Sequence, residues 1–114
     1  MATVVINLEK GLPKTEAALS KLKLELSTLR RIGVQTVKVI HGYGSTGTGG
    51  AIRQATRQYL CDQLKNRLIK AYCPGENFGP FENSGRQLVD LVPALHKDTD
   101  WGRQNDGITM VVLR

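Results

Sequence analysis

Cysteine is scarce in this sequence, and its two occurrences follow no metal-binding or redox pattern. Cys61 and Cys73 are not arranged as C-x-x-C, and no pair of histidines lies near them. This spacing argues against a zinc site and against a disulfide framework of the kind found in small secreted domains. We therefore expect two free thiols, which are typical of a cytoplasmic protein.

Long apolar runs are also missing. The sequence contains no stretch of about 18 apolar residues, so it predicts no membrane span and no membrane partner. Met1–Leu8 is apolar but has no basic region before it. We interpret this segment as a first strand and not as a signal peptide.

Positive charge is present in excess and is unevenly placed. The chain of 114 residues has a net charge of +6. Residues 1–60 contain nine Lys and Arg and three acidic residues, whereas residues 61–114 contain seven of each. The whole excess therefore lies in the first half, which favours an anionic partner. The alternative is a basic surface that only keeps the protein in solution.

The order of apolar runs and breakers predicts an α/β fold in one domain, residues 1–114. Strands are expected at 3–8, 35–40, 67–73 and 107–113, and helices at 14–31, 51–66 and 86–96, the last weakened by Pro93. The order β-α-β-α-β-(α)-β predicts a two-layer sandwich with a mixed, mostly parallel four-stranded sheet. The last strand is apolar enough to be central.

A glycine-rich loop, His41–Gly50, follows the second predicted strand and opens the second predicted helix. A helix start has unpaired backbone N–H groups and the positive end of the helix dipole, and glycine lets an anion approach the backbone closely. Hydroxyl and guanidinium groups nearby can add donors. The candidate phosphate-binding residues are His41, Gly42, Tyr43, Gly44, Ser45, Thr46, Gly47, Thr48, Gly49, Gly50, Arg53 and Arg57.

Other phosphate loops fit this stretch less well. Gly42, Gly44 and Gly47 match G-x-G-x-x-G, but the acidic residue at the expected distance, Asp62, falls inside the second helix. No lysine follows the glycines as a Walker A loop requires. A glycine loop without any ligand is the remaining alternative, although so many glycines lower stability through backbone entropy.

Two motifs resemble a known family. Val39-Ile-His-Gly-Tyr-Gly44, followed by Gly49-Gly-Ala-Ile-Arg53, resembles the HGxG loop and helix start of the Smr (small MutS-related) domain. The last predicted strand is similar to the G-x-T-x-V-x-L strand that ends this domain. The resemblance implies a fold like the C-terminal domain of bacterial translation initiation factor three. It also implies binding to branched or structured DNA or RNA, with endonuclease activity or ribosome-associated RNA processing in several members.

The sequence departs from the family pattern in three places. The loop looks longer, with an insertion at 45–48, and the segment 75–106 before the last strand is longer than usual. The family's first strand ends in L-D-x-H-G, whose Asp and His are implicated in cleavage. Depending on the alignment, these two positions hold Asn7 and Glu9, or Leu8 and Lys10. Glu9 and His41 are then the candidate catalytic residues, as bases that can exchange a proton.

The sequence is compatible with three functions. The first is a nucleic-acid-binding module without cleavage, which the missing D-x-H pair favours. The second is an endonuclease, with or without a metal, and the third is a protein that binds a small phosphate ligand or nucleotide. No cofactor is expected, and no metal site is supported, because the acids between residues 98 and 106 lack a metal-binding pattern and suit a solvated loop. The oligomeric state stays open.

Overall fold

Four short strands form one mixed sheet. The computed structural model describes residues 3–11, 13–43 and 48–114, with only the backbone of residues 48 and 49. The strands are β1 (Val4–Asn7), β2 (Thr36–Ile40), β3 (Ala71–Pro74) and β4 (Ile108–Val112), in the spatial order β1-β2-β4-β3. β1 and β2 pair in parallel, whereas β4 is antiparallel to both of its neighbours. The predicted mixed four-stranded sheet with a central β4 is confirmed. β1, β2 and β3 run in the same direction, but only β1 and β2 pair in parallel, because the antiparallel β4 lies between β2 and β3.

Two long helices cover one face of the sheet. They are α1 (Thr15–Arg31) and α2 (Thr48–Lys65). Their apolar residues recur every three or four positions and pack against alternate residues of the strands. Members of this core include Leu22, Leu26, Leu60, Val37, Val39 and Val111. The α1 crossover accounts for the parallel pairing of β1 and β2.

The segment 75–106 covers part of the other face. It contains α3 (Asn83–Leu91) between two short 3-10 helices, Gly75–Asn77 and Pro93–Lys97. Its side chains form a second core with β3 and β4, whose members include Phe78, Leu88, Leu95, Ile108, Met110 and Val112. The two predicted layers are therefore joined by a third, partial layer. α3 ends before Pro93, as the missing N–H of proline requires.

The third strand begins later than predicted, at Ala71 and not at 67. α2 ends in a Schellman motif, in which the amide of Leu68 donates to the Gln63 carbonyl (2.9 Å) and that of Arg67 donates to Leu64 (3.0 Å). Arg67 has the left-handed φ of 60° that this motif needs. Residues 66–70 therefore turn the chain back to the sheet before the strand can begin.

Both cysteines are free, with Cys73 buried and Cys61 half-buried. Among the described residues, no helix has the length and apolar character needed to cross a bilayer.

Candidate functional site

The glycine loop leaves the sheet from a fixed point. The amides of His41 and Gly42 both donate to the carbonyl of Gly107, each at 3.0 Å. Gly42 has a φ of +82°, which favours glycine, and a Cβ at this position would overlap the carboxylate of Glu9. The positive φ therefore favours glycine where the chain turns out of β2, and the flexible Glu9 side chain lies beside this turn.

His41 is fully buried and engaged at both ring nitrogens. Nδ1 lies 3.0 Å from the Gly42 carbonyl and Nε2 lies 2.9 Å from Thr109 Oγ1. Because a carbonyl only accepts, Nδ1 carries the proton and Thr109 donates its hydroxyl hydrogen to Nε2. The Thr109 oxygen in turn accepts a bond from Arg57 Nε at 3.2 Å. These bonds connect the start of the loop to β4 and α2.

The surroundings of His41 keep its ring neutral. Burial is the main cause, and the nearby positive charges of Arg57 and Arg53 act in the same direction, so that the pKa is lowered to about 4. A neutral ring with both nitrogens bonded within the protein supports a structural role. Action as a base would require the Thr109 bond to break first.

The helix that follows the loop begins at Thr48, so Thr48, Gly49 and Gly50 form its first turn. No acidic residue lies in this turn, so no residue of the turn itself offsets the positive end of the helix dipole. Gly44, Ser45, Thr46 and Gly47 lie outside the described residues.

The two candidate arginines of α2 differ in how firmly they are held. Arg57 donates to both carboxylate oxygens of Glu76, at 2.9 and 2.7 Å, and also reaches the Ile108 carbonyl at 3.3 Å. Burial alone would raise the pKa of Glu76, but the Arg57 bonds outweigh it and hold the pKa below its usual value. Among the residues that the structure describes, Arg53 makes one longer contact, of 3.3 Å, with the half-exposed carboxylate of Asp106. Arg53 is therefore the arginine that can exchange its partner more easily.

A cleft of about 320 Å³ opens beside the loop, on the sheet face opposite α1 and α2. Its lining includes Glu9 and Tyr43 from the predicted site. Tyr43 is 60% exposed, and its ring lies against Gly107, where an added Cβ would be 3.2 Å away. Asn7 does not line this cleft. Its side-chain oxygen accepts the amides of Glu9 and Lys10, each at 3.0 Å, and so shapes the turn after β1.

A charged cluster that sequence reasoning missed fastens the segment 75–106 to the sheet. Lys38, in the middle of β2, is buried and lies 2.7 Å from Asp98 and 2.6 Å from Asp100. Burial opposes its charge, but the two carboxylates raise the pKa of Lys38 and its ammonium group lowers that of Asp100. These acids are therefore paired and not the solvated loop that was expected. The sequence does contain one signal for this cluster, which is a lysine between apolar neighbours on a predicted strand.

Most of the predicted site residues within the described ranges therefore lie at one edge of the sheet. His41, Gly42, Tyr43 and Glu9 lie where β2 ends, and the α2 arginines reach towards β4 from the helix layer. Within the described ranges, no three His, Cys, Asp or Glu side chains are grouped so that they could hold a metal ion.

Comparison with known proteins identifies related folds. The family model of the Smr domain matches residues 10–92, from the turn after β1 to the end of α3. The fold is similar to the crystal structure of the Smr domain of Thermus thermophilus MutS2, with a TM-score of 0.59 and 23% sequence identity over 98% of this chain and 99% of that chain. No curated protein matches the sequence.

Proposed function

This chain belongs to the Smr domain family, and from that premise we propose that it binds DNA or RNA through backbone phosphate at the start of α2. The observation that carries the proposal is the position of the glycine loop. The chain turns out of β2 at Gly42, and the loop is followed by α2, a helix whose first turn has no acid. Helix N–H groups and the helix dipole favour an anion at this place. The family resemblance extends the proposal to structured or branched strands and to the ribosome as a partner.

Arg53 is the cation we assign to the phosphate. Its contact with Asp106 is long, at 3.3 Å, and the carboxylate is exposed enough to give way to a phosphate oxygen. Arg57 has a different part in this proposal. Its two bonds to Glu76 and its bond to Thr109 keep it inside the protein, where it supports His41 and the loop.

The test is the affinity for a labelled hairpin, measured by fluorescence anisotropy between about 50 and 200 mM salt. Arg53→Ala should weaken binding by about fivefold to tenfold, equally across sequences, and lower the salt slope by about one. Lys65→Ala removes a charge from the far end of the same helix and serves as the matched control. Equal losses in both variants would contradict the assignment, and no binding to DNA or RNA would favour a small phosphate ligand instead.

Strand cleavage is the second candidate, because Glu9 lies directly beside Gly42 and lines the cleft. A carboxylate there could accept a proton from an attacking nucleophile. Incubation with supercoiled plasmid, with and without magnesium, tests this candidate. Nicking that is lost in Glu9→Gln would support it, whereas binding without nicking supports the binding module.

A further inference from the structure

The cleft beside the loop has an apolar floor and an aromatic wall. Val5, Ile40 and Ile108 form the floor, and Tyr43 stands at the side where the chain enters the glycine loop. Val5 is 53% exposed although it lies within a strand, and Tyr43 is 60% exposed. Apolar and aromatic surface of this kind suits the face of a flat ring. The segment 75–106 reaches β2 at Lys38 but leaves Val5 of β1 exposed, so the cleft stays open on the β1 side of this face.

Of the two carboxylates that line the cleft, Glu9 is the one available to a ligand. Lys38 and Asp100 line the cleft, but they are paired with each other. Asn105 is also engaged, because its amide donates to Asp100 and its oxygen accepts the Gly107 amide, both at 3.0 Å. Among residues 3–11, 13–43 and 50–114, no group donates a hydrogen bond to the Glu9 carboxylate or forms an ion pair with it. A carboxylate of this kind accepts hydrogen bonds through two oxygens and is best matched by two parallel N–H donors.

Guanine is the nucleobase that offers such a pair. Its Watson–Crick edge carries the N1–H and the 2-amino group side by side, whereas the other bases carry a single donor group on that edge. The edge is free only when the base is unpaired, and unpaired bases are commonly stacked on aromatic side chains. Only residues 44–47 separate Tyr43 from Thr48, the first residue of α2, so the cleft and the proposed phosphate site flank the same loop.

We propose that this cleft holds one unpaired guanine of the bound strand, with its ring on Tyr43 and its N1–H and 2-amino groups donating to Glu9. This inference rests on the proposed phosphate binding at the start of α2. It adds a base preference to a contact that is otherwise independent of sequence.

The experiment uses hairpins, as DNA and as RNA, that have the same stem and a pyrimidine loop with one variable base. That base is guanine, inosine or adenine, where inosine keeps the N1–H and lacks the 2-amino group. Wild-type protein should bind the guanine hairpin about tenfold more tightly than the adenine hairpin, with inosine between them. Tyr43→Ala should weaken binding of the guanine hairpin by about tenfold, and Tyr43→Phe should retain it.

Glu9→Gln gives the sharpest result, because its two expected effects have opposite signs. Binding of the guanine hairpin should weaken, while the adenine hairpin should bind somewhat more tightly, since a carboxylate near phosphate is gone. Glu16→Gln removes an acid from α1, away from the cleft, and should leave the guanine preference intact.

Equal wild-type affinities for the three bases would overturn the inference, as would a guanine preference that survives in Glu9→Gln. Both results would leave the phosphate proposal standing, because that proposal requires only salt-sensitive binding of all three hairpins. Failure to bind any hairpin would contradict the phosphate proposal itself, and the guanine site with it.

Discussion

At the scale of single residues, His41 shows how a motif residue can have a structural role. The sequence places a histidine directly before a glycine loop, which is compatible with catalysis, phosphate binding or support. The structure surrounds it with Thr109, Arg57 and the Gly42 carbonyl, so that each ring nitrogen has a partner. None of these partners could be deduced from sequence spacing, because Thr109 lies in the last strand and Arg57 in the second helix.

The buried ring predicts a loss of stability in acid. The folded-state pKa of His41, about 4, lies below the ordinary value of 6.5, so the unfolded chain takes up a proton first as the pH falls. The contribution of His41 is therefore complete above pH 6.5 and is lost as the pH falls towards 4. We expect this residue to account for a decrease of about 3 kcal/mol in the free energy of unfolding between pH 7 and pH 4.

Urea unfolding at a series of pH values measures this decrease. His41→Gln should flatten the curve over this range, whereas His96→Gln, a change at the exposed histidine, should not. A curve with the same slope in wild type and His41→Gln would show that His41 is not the group responsible.

At the scale of elements, the periodicity of α1 and α2 and the apolar character of β4 were enough to predict the helix layer and the central strand. The start of β3 was missed because Arg67 adopts a left-handed conformation that sequence alone favours only for glycine. Nothing in the sequence indicated that Glu76 would neutralise Arg57, since helical spacing does not reveal which distant acid a side chain meets. Two arginines one turn apart on α2 therefore have different partners.

The contact between α2 and the loop before β4 predicts that Asp106 competes with phosphate for Arg53. Asp106→Asn should strengthen binding of a labelled hairpin about twofold to fivefold at low salt, and less at high salt, because a competing charge is removed. The stability should change by less than about 0.5 kcal/mol, as expected for an exposed ion pair. Asp90→Asn, a change at an exposed acid of α3, is the control. Equal or weaker binding by Asp106→Asn would show that this carboxylate does not compete.

At the scale of the whole molecule, part of the positive charge of the first half of the sequence is paired with acids of the second half. Lys38, Arg53 and Arg57 are each paired with acids of the second half. These basic residues therefore help to hold the segment 75–106 in place, and their charge is not all available to attract an anionic partner. These charges can be counted from the sequence, but their pairing depends on contacts between residues far apart in the chain.

The cluster of Lys38 with Asp98 and Asp100 should hold the third layer to the sheet. Lys38→Met leaves two poorly exposed carboxylates without their cation and should lower the free energy of unfolding by about 2–4 kcal/mol. The triple variant Lys38→Met, Asp98→Asn, Asp100→Asn should recover part of this loss, because no unpaired charge is left. Lys70→Met, at an exposed lysine, should change the stability little. Urea unfolding measures the free energy of unfolding of each variant. A loss below about 0.5 kcal/mol for Lys38→Met would show that the cluster stabilises the fold no more than an ordinary surface ion pair does.

The most direct test of phosphate binding at the start of α2 is a titration with a short thymidine oligonucleotide, followed by backbone amide shifts in two-dimensional NMR. A guanine-free strand keeps this test independent of the cleft. We predict that the largest shifts occur at Gly42, at the amides of residues 48–51 and at the Arg53 side chain, and that they vanish at high salt. Shifts concentrated on α3 or at the end of α2 near Lys65, with residues 42–53 unchanged, would contradict phosphate binding at this place.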